Sequence, residues 1–209
     1  MNGISILIVD DEALIRDGLT ALLEKEECVS KILHAWDMSS LEQQLKNSID
    51  VVLLDIRLKG NSGLDMIPVI RKNETSPKII TITGLEGVEL MLNLLKLGVD
   101  GIVFKLDGYQ DIWDAINKVV EGDNYYPERV LRIIQDNASN WDEAPPVTLN
   151  FTEKELLVGV AQGLTNKQIA VALKMSPSTI ETYRIRLIKK LQVGNTASLM
   201  AYAYRNGLL

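Results

Sequence analysis

Four short apolar runs, each ending at a polar or charged residue, constrain this chain more than any other feature. They are Ile4-Ser5-Ile6-Leu7-Ile8-Val9 before Asp10-Asp11, Val51-Val52-Leu53-Leu54 before Asp55, Ile79-Ile80-Thr81-Ile82 before Thr83, and Gly101-Ile102-Val103-Phe104 before Lys105. Runs of this length, separated by helix-period segments, read as buried parallel strands. The segments between them fit that reading. Ala13–Lys25 places Leu14, Ile15, Leu19, Leu22 and Leu23 on one helical face. Ile32–Trp36 reads as a further strand and Ser40–Lys46 as a helix. Gly63–Lys72 reads as helical despite Pro68, and Val88–Leu97 and Asp111–Glu121 as helices stopped by Gly98 and Gly122. This alternation over residues 1–122 predicts an α/β fold, a five-stranded doubly wound parallel sheet with helices on both faces.

In such a sheet ligands bind outside the carboxyl ends of the strands. Three carboxylates, one hydroxyl and one ammonium are therefore expected to converge on one edge. Three carboxylates a few ångström apart repel strongly unless they share a cation. An all-oxygen cluster that also takes a phosphoryl group is typical of Mg²⁺. Asp10 and Asp11 are expected to hold that ion, directly or through water. Asp55 is expected to touch it and to attack phosphorus as a carboxylate nucleophile. Lys105 then pairs with one phosphoryl oxygen, and Thr83 donates its hydroxyl to another.

The second part of the chain has a different character. Residues 148–209 carry 8 Lys+Arg against 3 Asp+Glu, a balance of +5, while residues 1–147 carry 14 against 25, a balance of −11. An acidic front and a basic back point to two modules with different partners, the basic one a candidate for nucleic acid. Between them, residues 123–147 hold Asn137-Ala138-Ser139-Asn140 and Pro145-Pro146 and read as a linker, with a short helix over Pro127–Gln135. Thr152-Glu153-Lys154-Glu155 has the pattern of a capping box opening a helix. From there the chain reads as four short helices with a tight turn in the middle, a helix-turn-helix arrangement. Met175-Ser176-Pro177-Ser178 is the turn, with Ser176 as cap and Pro177 at the first helical position. On the helix that follows, Ile180, Tyr183, Leu187 and Leu191 share one face, expected to be core. Glu181, Thr182, Ile185, Arg186, Lys189 and Lys190 share the other, and a helix with such a face suits a major groove.

Other classes are disfavoured. No apolar run approaches the roughly 20 residues of a membrane span, and Met1-Asn2-Gly3-Ile4 has no basic start of a secretory signal. The single cysteine, Cys28, fits a reducing cytoplasm.

Leu7-Ile8-Val9-Asp10-Asp11-Glu12, Val52-Leu53-Leu54-Asp55-Ile56-Arg57-Leu58, Asn61-Ser62-Gly63, Thr83 and Phe104-Lys105 together resemble the receiver domain of bacterial two-component response regulators. The resemblance implies a CheY-like (flavodoxin-like) receiver, a sensor histidine kinase as donor, Asp55 as phosphoacceptor, and the main-chain carbonyl of Arg57 as a further Mg²⁺ ligand. Phe151-Thr152-Glu153-Lys154-Glu155, Gly163 to Ala170 and Thr179-Ile180-Glu181-Thr182-Tyr183 resemble the LuxR-type DNA-binding domain, over residues 148–209. Together they look like the NarL/FixJ class of response regulators. That class implies binding of double-stranded DNA, a homodimer on activation, and RNA polymerase as a partner open to such a regulator. The DNA-contact set carried over is Lys167, Thr179, Glu181, Thr182, Arg184, Ile185, Arg186, Lys189 and Lys190. Its basic members are expected to meet phosphates, with Glu181 and Ile185 turned to base edges.

Some positions depart from the family. Lys59 stands where proline is frequent, Ile102 where an aromatic is usual, and Glu181 where lysine is usual. Two alternatives stay open: a regulator that works without phosphorylation, and a Mg²⁺-dependent phosphotransfer enzyme.

Overall fold

The structure, a computed structural model, describes residues 3–59, 61–84, 87–141 and 149–206. It forms two compact units, residues 1–86 with 99–121, and residues 87–98 with 122–209.

The first unit runs β1 (Ile4–Val9), α1 (Ala13–Leu23), β2 (Val29–Ala35), α2 (Met38–Gln44), β3 (Val51–Asp55), β4 (Arg57–Leu58), β5 (Asn61–Ser62), α3 (Gly63–Arg71) and β6 (Lys78–Thr83). The chain then passes through α4 (Val88–Lys96), which clusters with the second unit, and returns as β7 (Gly101–Phe104) and α5 (Tyr109–Val120). Five strands form one sheet in the order β2-β1-β3-β6-β7, every neighbouring pair parallel. This is the doubly wound sheet expected from the alternation. Ile6, Leu7, Val9, Val51, Val52, Leu54, Ile79 and Ile80 are all fully buried. Each such side chain contributes about 1.5–3 kcal/mol relative to leaving it in water, so the apolar runs select this sheet. The Tyr109 hydroxyl donates to the Leu22 carbonyl and ties α5 to α1; the Asn73 amide donates to the Leu45 carbonyl and ties the end of α3 to that of α2.

One local feature of this unit differs from the reading of the sequence. A two-residue antiparallel hairpin, β4 with β5, follows β3; two-residue strands carry no periodic signal. Pro68 lies inside α3 without ending it, as expected. Gly63 opens α3 where its amide donates to the Ile56 carbonyl, and a Cβ there would lie 2.8 Å from the Ile56 Cα. Only glycine lets the helix start this close to the strand that carries Asp55.

The second unit contains α4, then α6 (Glu128–Asp136), a 3₁₀ turn (Ala138–Asn140), α7 (Phe151–Ala161), α8 (Asn166–Leu173), α9 (Pro177–Lys190) and α10 (Thr196–Arg205). The short helix expected within the linker is α6; Pro145-Pro146 lies outside the described residues. The core includes Val130, Ile134, Trp141, Leu156, Leu157, Ile169, Ile180, Leu187 and Leu199. The Tyr204 hydroxyl donates to the Ala161 carbonyl, and the Asn195 side chain both caps α10 through the Ser198 amide and donates to the Leu95 carbonyl. The capping box of α7 stands two residues before the expected one. Asn150 accepts from the Glu153 amide at 2.8 Å, and Glu153 accepts from the Asn150 amide at 2.8 Å. Both patterns fit the sequence, and asparagine is the stronger N-cap. Ser176 caps α9 with Pro177 in its first turn, as expected.

Candidate functional site

Because the strands are parallel, Asp10, Asp55, Thr83 and Lys105 all arrive at the same edge of the sheet. Asp55 and Thr83 are the last residues of β3 and β6, and Asp10 and Lys105 directly follow β1 and β7. One carboxylate oxygen each from Asp10, Asp11 and Asp55 lies within 4.8 Å of the others. Asp10 and Asp55 are each 3% exposed, and Thr83 is buried. Lys105 Nζ donates to Asp55 Oδ2 at 2.7 Å and lies 3.5 Å from Asp10 Oδ2. The Arg57 amide donates to Asp55 Oδ1 at 3.1 Å, and the Glu12 amide to Asp10 Oδ1 at 2.8 Å. Asp11 Oδ2 accepts from the Lys59 amide at 3.3 Å, with Lys59 Nζ at 3.7 Å. Arg16 Nη1 donates to the Asp10 carbonyl at 2.7 Å while its guanidinium stacks over Trp36.

Of the three clustered carboxylates Lys105 pairs with Asp10 and Asp55, and Lys59, 87% exposed, offsets Asp11 little in high dielectric. The buried balance is net negative, and the donors are all oxygen. The set therefore fits a hard divalent cation such as Mg²⁺. Burial pushes the Asp10 carboxyl above its ordinary range; the Glu12 amide and Lys105 pull it back, and Asp55 pushes it further up. Burial pulls the Lys105 ammonium down, but Asp55 and then Asp10 outweigh burial and hold it above its ordinary value.

The Asp10 shift makes a prediction about stability. A carboxyl raised on folding is protonated more readily in the folded chain. Its contribution is then favourable at low pH and is lost as pH rises through the folded value. At neutral pH without metal, ionised Asp10 costs stability. Asp10→Asn is expected to raise Tm by a few degrees at pH 7 in EDTA, with the gain fading in acid. Thermal melts of both chains across that pH range check this, and equal Tm values at neutral pH contradict it.

In the second unit, α8 and α9 meet at a turn in which Lys174 takes the left-handed conformation, φ 55°. Thr165 caps α8 through the Gln168 amide. Along α9, Ile180, Leu187 and Leu191 are buried and Tyr183 is half-buried. Thr182, Arg186, Lys189 and Lys190 are exposed, as is Ile185 at 50%, and Lys167 is exposed on α8. Ser178, which the sequence marks only as part of the turn, belongs to the same exposed face. Thr179 is half-buried, bonded to Ser176 in the cap. Lys190 is paired with Glu153 at 2.7 Å.

Two residues depart from the expected outward face. Arg184, expected at a phosphate, is 6% exposed and lies 3.6 Å from Asp123, itself buried. Glu181 is half-buried, its carboxylate against Gly122. Both sit on the flank of α9 between its core and its open face, where the chain just after α5 covers them. Asp123 and Arg16 are not legible from the sequence. Each acts through contacts set by the fold, and neither belongs to a local motif.

Comparisons with known proteins show the family to which both parts of the chain belong. Residues 6–117 match the family model described as the response regulator receiver domain, and residues 148–203 match that of bacterial regulatory proteins, luxR family. The chain is 33% identical over 191 residues to the nitrate/nitrite response regulator protein NarP of Escherichia coli strain K12, spanning 90% of this chain and 88% of that one. It is 28% identical over 209 residues to the transcriptional regulatory protein LiaR of Bacillus subtilis strain 168, spanning 99% of each. Among solved structures it resembles RcsB from Salmonella enterica serovar Typhimurium bound to promoter P1flhDC in the presence of the phosphomimetic BeF₃⁻. That match has 27% identity and a TM-score of 0.59, and covers 97% of this chain and 98% of that one.

Proposed function

The chain belongs to the response regulators of the NarL/FixJ class, a receiver domain followed by a luxR-family domain, and from that membership we propose that a phosphoryl group on Asp55 controls how it binds DNA. It is a DNA-binding response regulator of a two-component system. The receiver is residues 1–122, the linker 123–147 and the DNA-binding domain 148–209. The observation that carries the reading is Lys105 Nζ at 2.7 Å from Asp55 Oδ2, inside a cluster of three carboxylates at the strand ends.

The chemistry follows from those positions. An Asp55 oxygen attacks phosphorus of a phosphohistidine on the sensor kinase. The P–N bond breaks, a P–O bond forms, and the imidazole leaves. Asp10, Asp11, Asp55 and the Arg57 carbonyl would hold Mg²⁺, which supplies charge neutralisation when bound. Lys105 then turns from the carboxylate to a phosphoryl oxygen, and Thr83 donates to another. In this proposal the chain is a phosphoacceptor with no turnover of its own. Among the described residues no helix is long and apolar enough to cross a membrane, and we place the regulator in the cytoplasm with its DNA. Its partners are a sensor histidine kinase, double-stranded DNA, a second copy of itself on activation, and RNA polymerase at the promoter. On DNA, the open face of α9 enters the major groove: Thr182 and Ile185 meet base edges, and Arg186 and Lys189 meet phosphates. Lys167 on α8 joins the phosphate contacts, and Thr179 keeps α9 capped at its entry.

Removing the metal tests the site. Acetyl phosphate with Mg²⁺ is expected to add one phosphoryl group to the intact chain by mass, and EDTA is expected to abolish the addition. Equal labelling in EDTA contradicts the proposed role of the carboxylate cluster. Arg57 tests the lifetime of the product. Its side chain is exposed beside Asp55, where a bulky cation screens the acyl phosphate from water. Arg57→Ala is expected to shorten the lifetime of the phosphorylated chain several-fold, a loss of roughly 1 kcal/mol of barrier. Following dephosphorylation of both chains by mass checks this, and equal lifetimes reject the screening role.

A further inference from the structure

Arg16 lies outside the carboxylate cluster but touches the chain that builds it. Its Nη1 donates to the Asp10 main-chain carbonyl at 2.7 Å. That carbonyl belongs to the peptide that joins Asp10 to Asp11. The peptide is planar, so its orientation turns only on the torsion after the Asp10 Cα and the one before the Asp11 Cα. Both Cα atoms carry a carboxylate of the cluster. A rotated peptide swings Asp11 relative to Asp10 and spreads the two groups apart. The Asp10 amide is already tied to the Ala35 carbonyl at 3.2 Å, and Asp10 Oδ1 to the Glu12 amide at 2.8 Å. The bond from Arg16 is what fixes the carbonyl end.

Arg16 is itself held in place. Its guanidinium lies over the Trp36 ring, 5.6 Å from the centroid, where the negative face of the ring attracts it. The Trp36 amide donates to Ser40 Oγ, inside the capping box of α2, so the ring stands on a fixed base. On α1, the Thr20 hydroxyl donates to the Arg16 carbonyl at 2.7 Å. With its proton committed there, Thr20 Oγ1 accepts from His34 Nε2 at 3.0 Å, two residues before Trp36. Arg16 Nε is buried with no hydrogen-bond partner among the described residues. Burying a donor without a partner costs stability, a cost that an arginine merely solvating α1 does not carry.

We propose that Arg16, braced on Trp36, is a positioning residue for the metal site: it fixes the Asp10–Asp11 peptide and thereby sets the affinity for Mg²⁺. The inference rests on the reading of Asp10 and Asp11 as Mg²⁺ ligands. Groups that orient the ligands of a metal from behind govern its affinity, and their loss typically weakens binding about 10–100-fold. Charge alone acts the other way. Arg16 is a cation close to the carboxylates, and removing it leaves them more attractive to a second cation. Positioning and charge therefore predict opposite signs for the same substitution.

The test uses the full chain and MgCl₂, with affinity read from the ¹H–¹⁵N shifts of the Asp11 and Glu12 amides. Arg16→Met keeps the stem and removes the donors. It is expected to weaken Mg²⁺ binding about tenfold, and equal or tighter binding overturns the proposal. Trp36 is 52% exposed, so its replacement leaves the core intact and decides the question if Arg16→Met fails to fold. Trp36→Ala is expected to weaken binding several-fold and Trp36→Phe to stay close to wild type; wild-type affinity in Trp36→Ala overturns the brace. Asn73→Ala, which loses the bond between the ends of α3 and α2, controls for stability alone. It is expected to lower Tm without moving the Mg²⁺ affinity, and a loss of affinity equal to that of Arg16→Met overturns a positioning role. The Mg²⁺ concentration that half-saturates labelling by acetyl phosphate is expected to rise in Arg16→Met by the same factor as the loss of affinity, and an unchanged value overturns the proposal. If the wild-type amides do not respond to Mg²⁺, the reading of the carboxylate cluster fails and the inference falls with it. If wild type binds and Arg16→Met binds equally well, the inference alone fails.

Discussion

Asp55→Asn is expected to reduce labelling by acetyl phosphate from near-stoichiometric to undetectable. The reasoning starts from which oxygens can act. Asp55 is the only member of the cluster that contacts Lys105 at 2.7 Å, and that ammonium is what balances charge building on phosphorus. Asp10 is a poorer nucleophile: burial first, then Asp55, favour its protonated form, and one of its oxygens is taken by the Glu12 amide. Asp11 accepts from the Lys59 amide and lies beside the Lys59 ammonium. Asparagine keeps the shape of residue 55 and its bond to the Arg57 amide but cannot form an acyl phosphate. The measurement is intact mass after incubation with acetyl phosphate and Mg²⁺, with the labelled peptide identified by fragmentation. Residual labelling at Asp10 or Asp11 in the variant rejects the assignment of Asp55. Lys105→Ala is expected to slow labelling strongly while leaving Asp55 as the labelled residue.

The second large effect concerns DNA. Replacing Arg186 and Lys189 together by alanine is expected to weaken binding by about one to two orders of magnitude at low salt. It is also expected to lower the slope of log K against log salt by about two, close to one per lost phosphate contact. Both side chains are exposed on the open face of α9. Lys190 serves as the internal contrast. Its ammonium is held by both carboxylate oxygens of Glu153, at 2.8 and 2.7 Å. Taking it to a phosphate first requires breaking that pair, so Lys190→Ala is expected to change the salt slope least of the three. Equal slopes for wild type and the double variant contradict the placement of DNA on this face.

The apolar runs alone make the sheet legible. Their length, their termination at Asp10, Asp55, Thr83 and Lys105, and the helical period between them allow few other arrangements. Hydroxyl and proline signals at Ser176-Pro177 likewise mark the start of α9, because capping is a local interaction between near neighbours. The β4–β5 hairpin is not legible, since two residues per strand leave no period to read. The capping box of α7 falls two residues from its expected place because two overlapping patterns, Asn150 with Glu153 and Thr152 with Glu155, satisfy the same rule. Arg184 is the most instructive case. A basic residue on a basic helix reads as a phosphate contact, and only the fold brings Asp123, 61 positions earlier in the chain, against it. Arg16 is similar, supporting the Asp10 carbonyl from α1 and packing on Trp36, which directly follows β2.

The central claim is that the chemistry at Asp55 sets the state of the DNA-binding unit. Moving a two-state equilibrium from mostly off to mostly on takes about 5.5 kcal/mol of differential stabilisation. In this account new contacts of the phosphoryl group with Lys105 and Thr83, together with dimerisation, have to supply it. The most direct measurement is the oligomeric state and DNA affinity of wild type and Asp55→Ala, each with and without BeF₃⁻ and Mg²⁺. The account predicts that the mimic produces a wild-type dimer that binds DNA more tightly, and that Asp55→Ala stays in the resting state under both conditions. Identical behaviour of the wild-type chain with and without the mimic contradicts it.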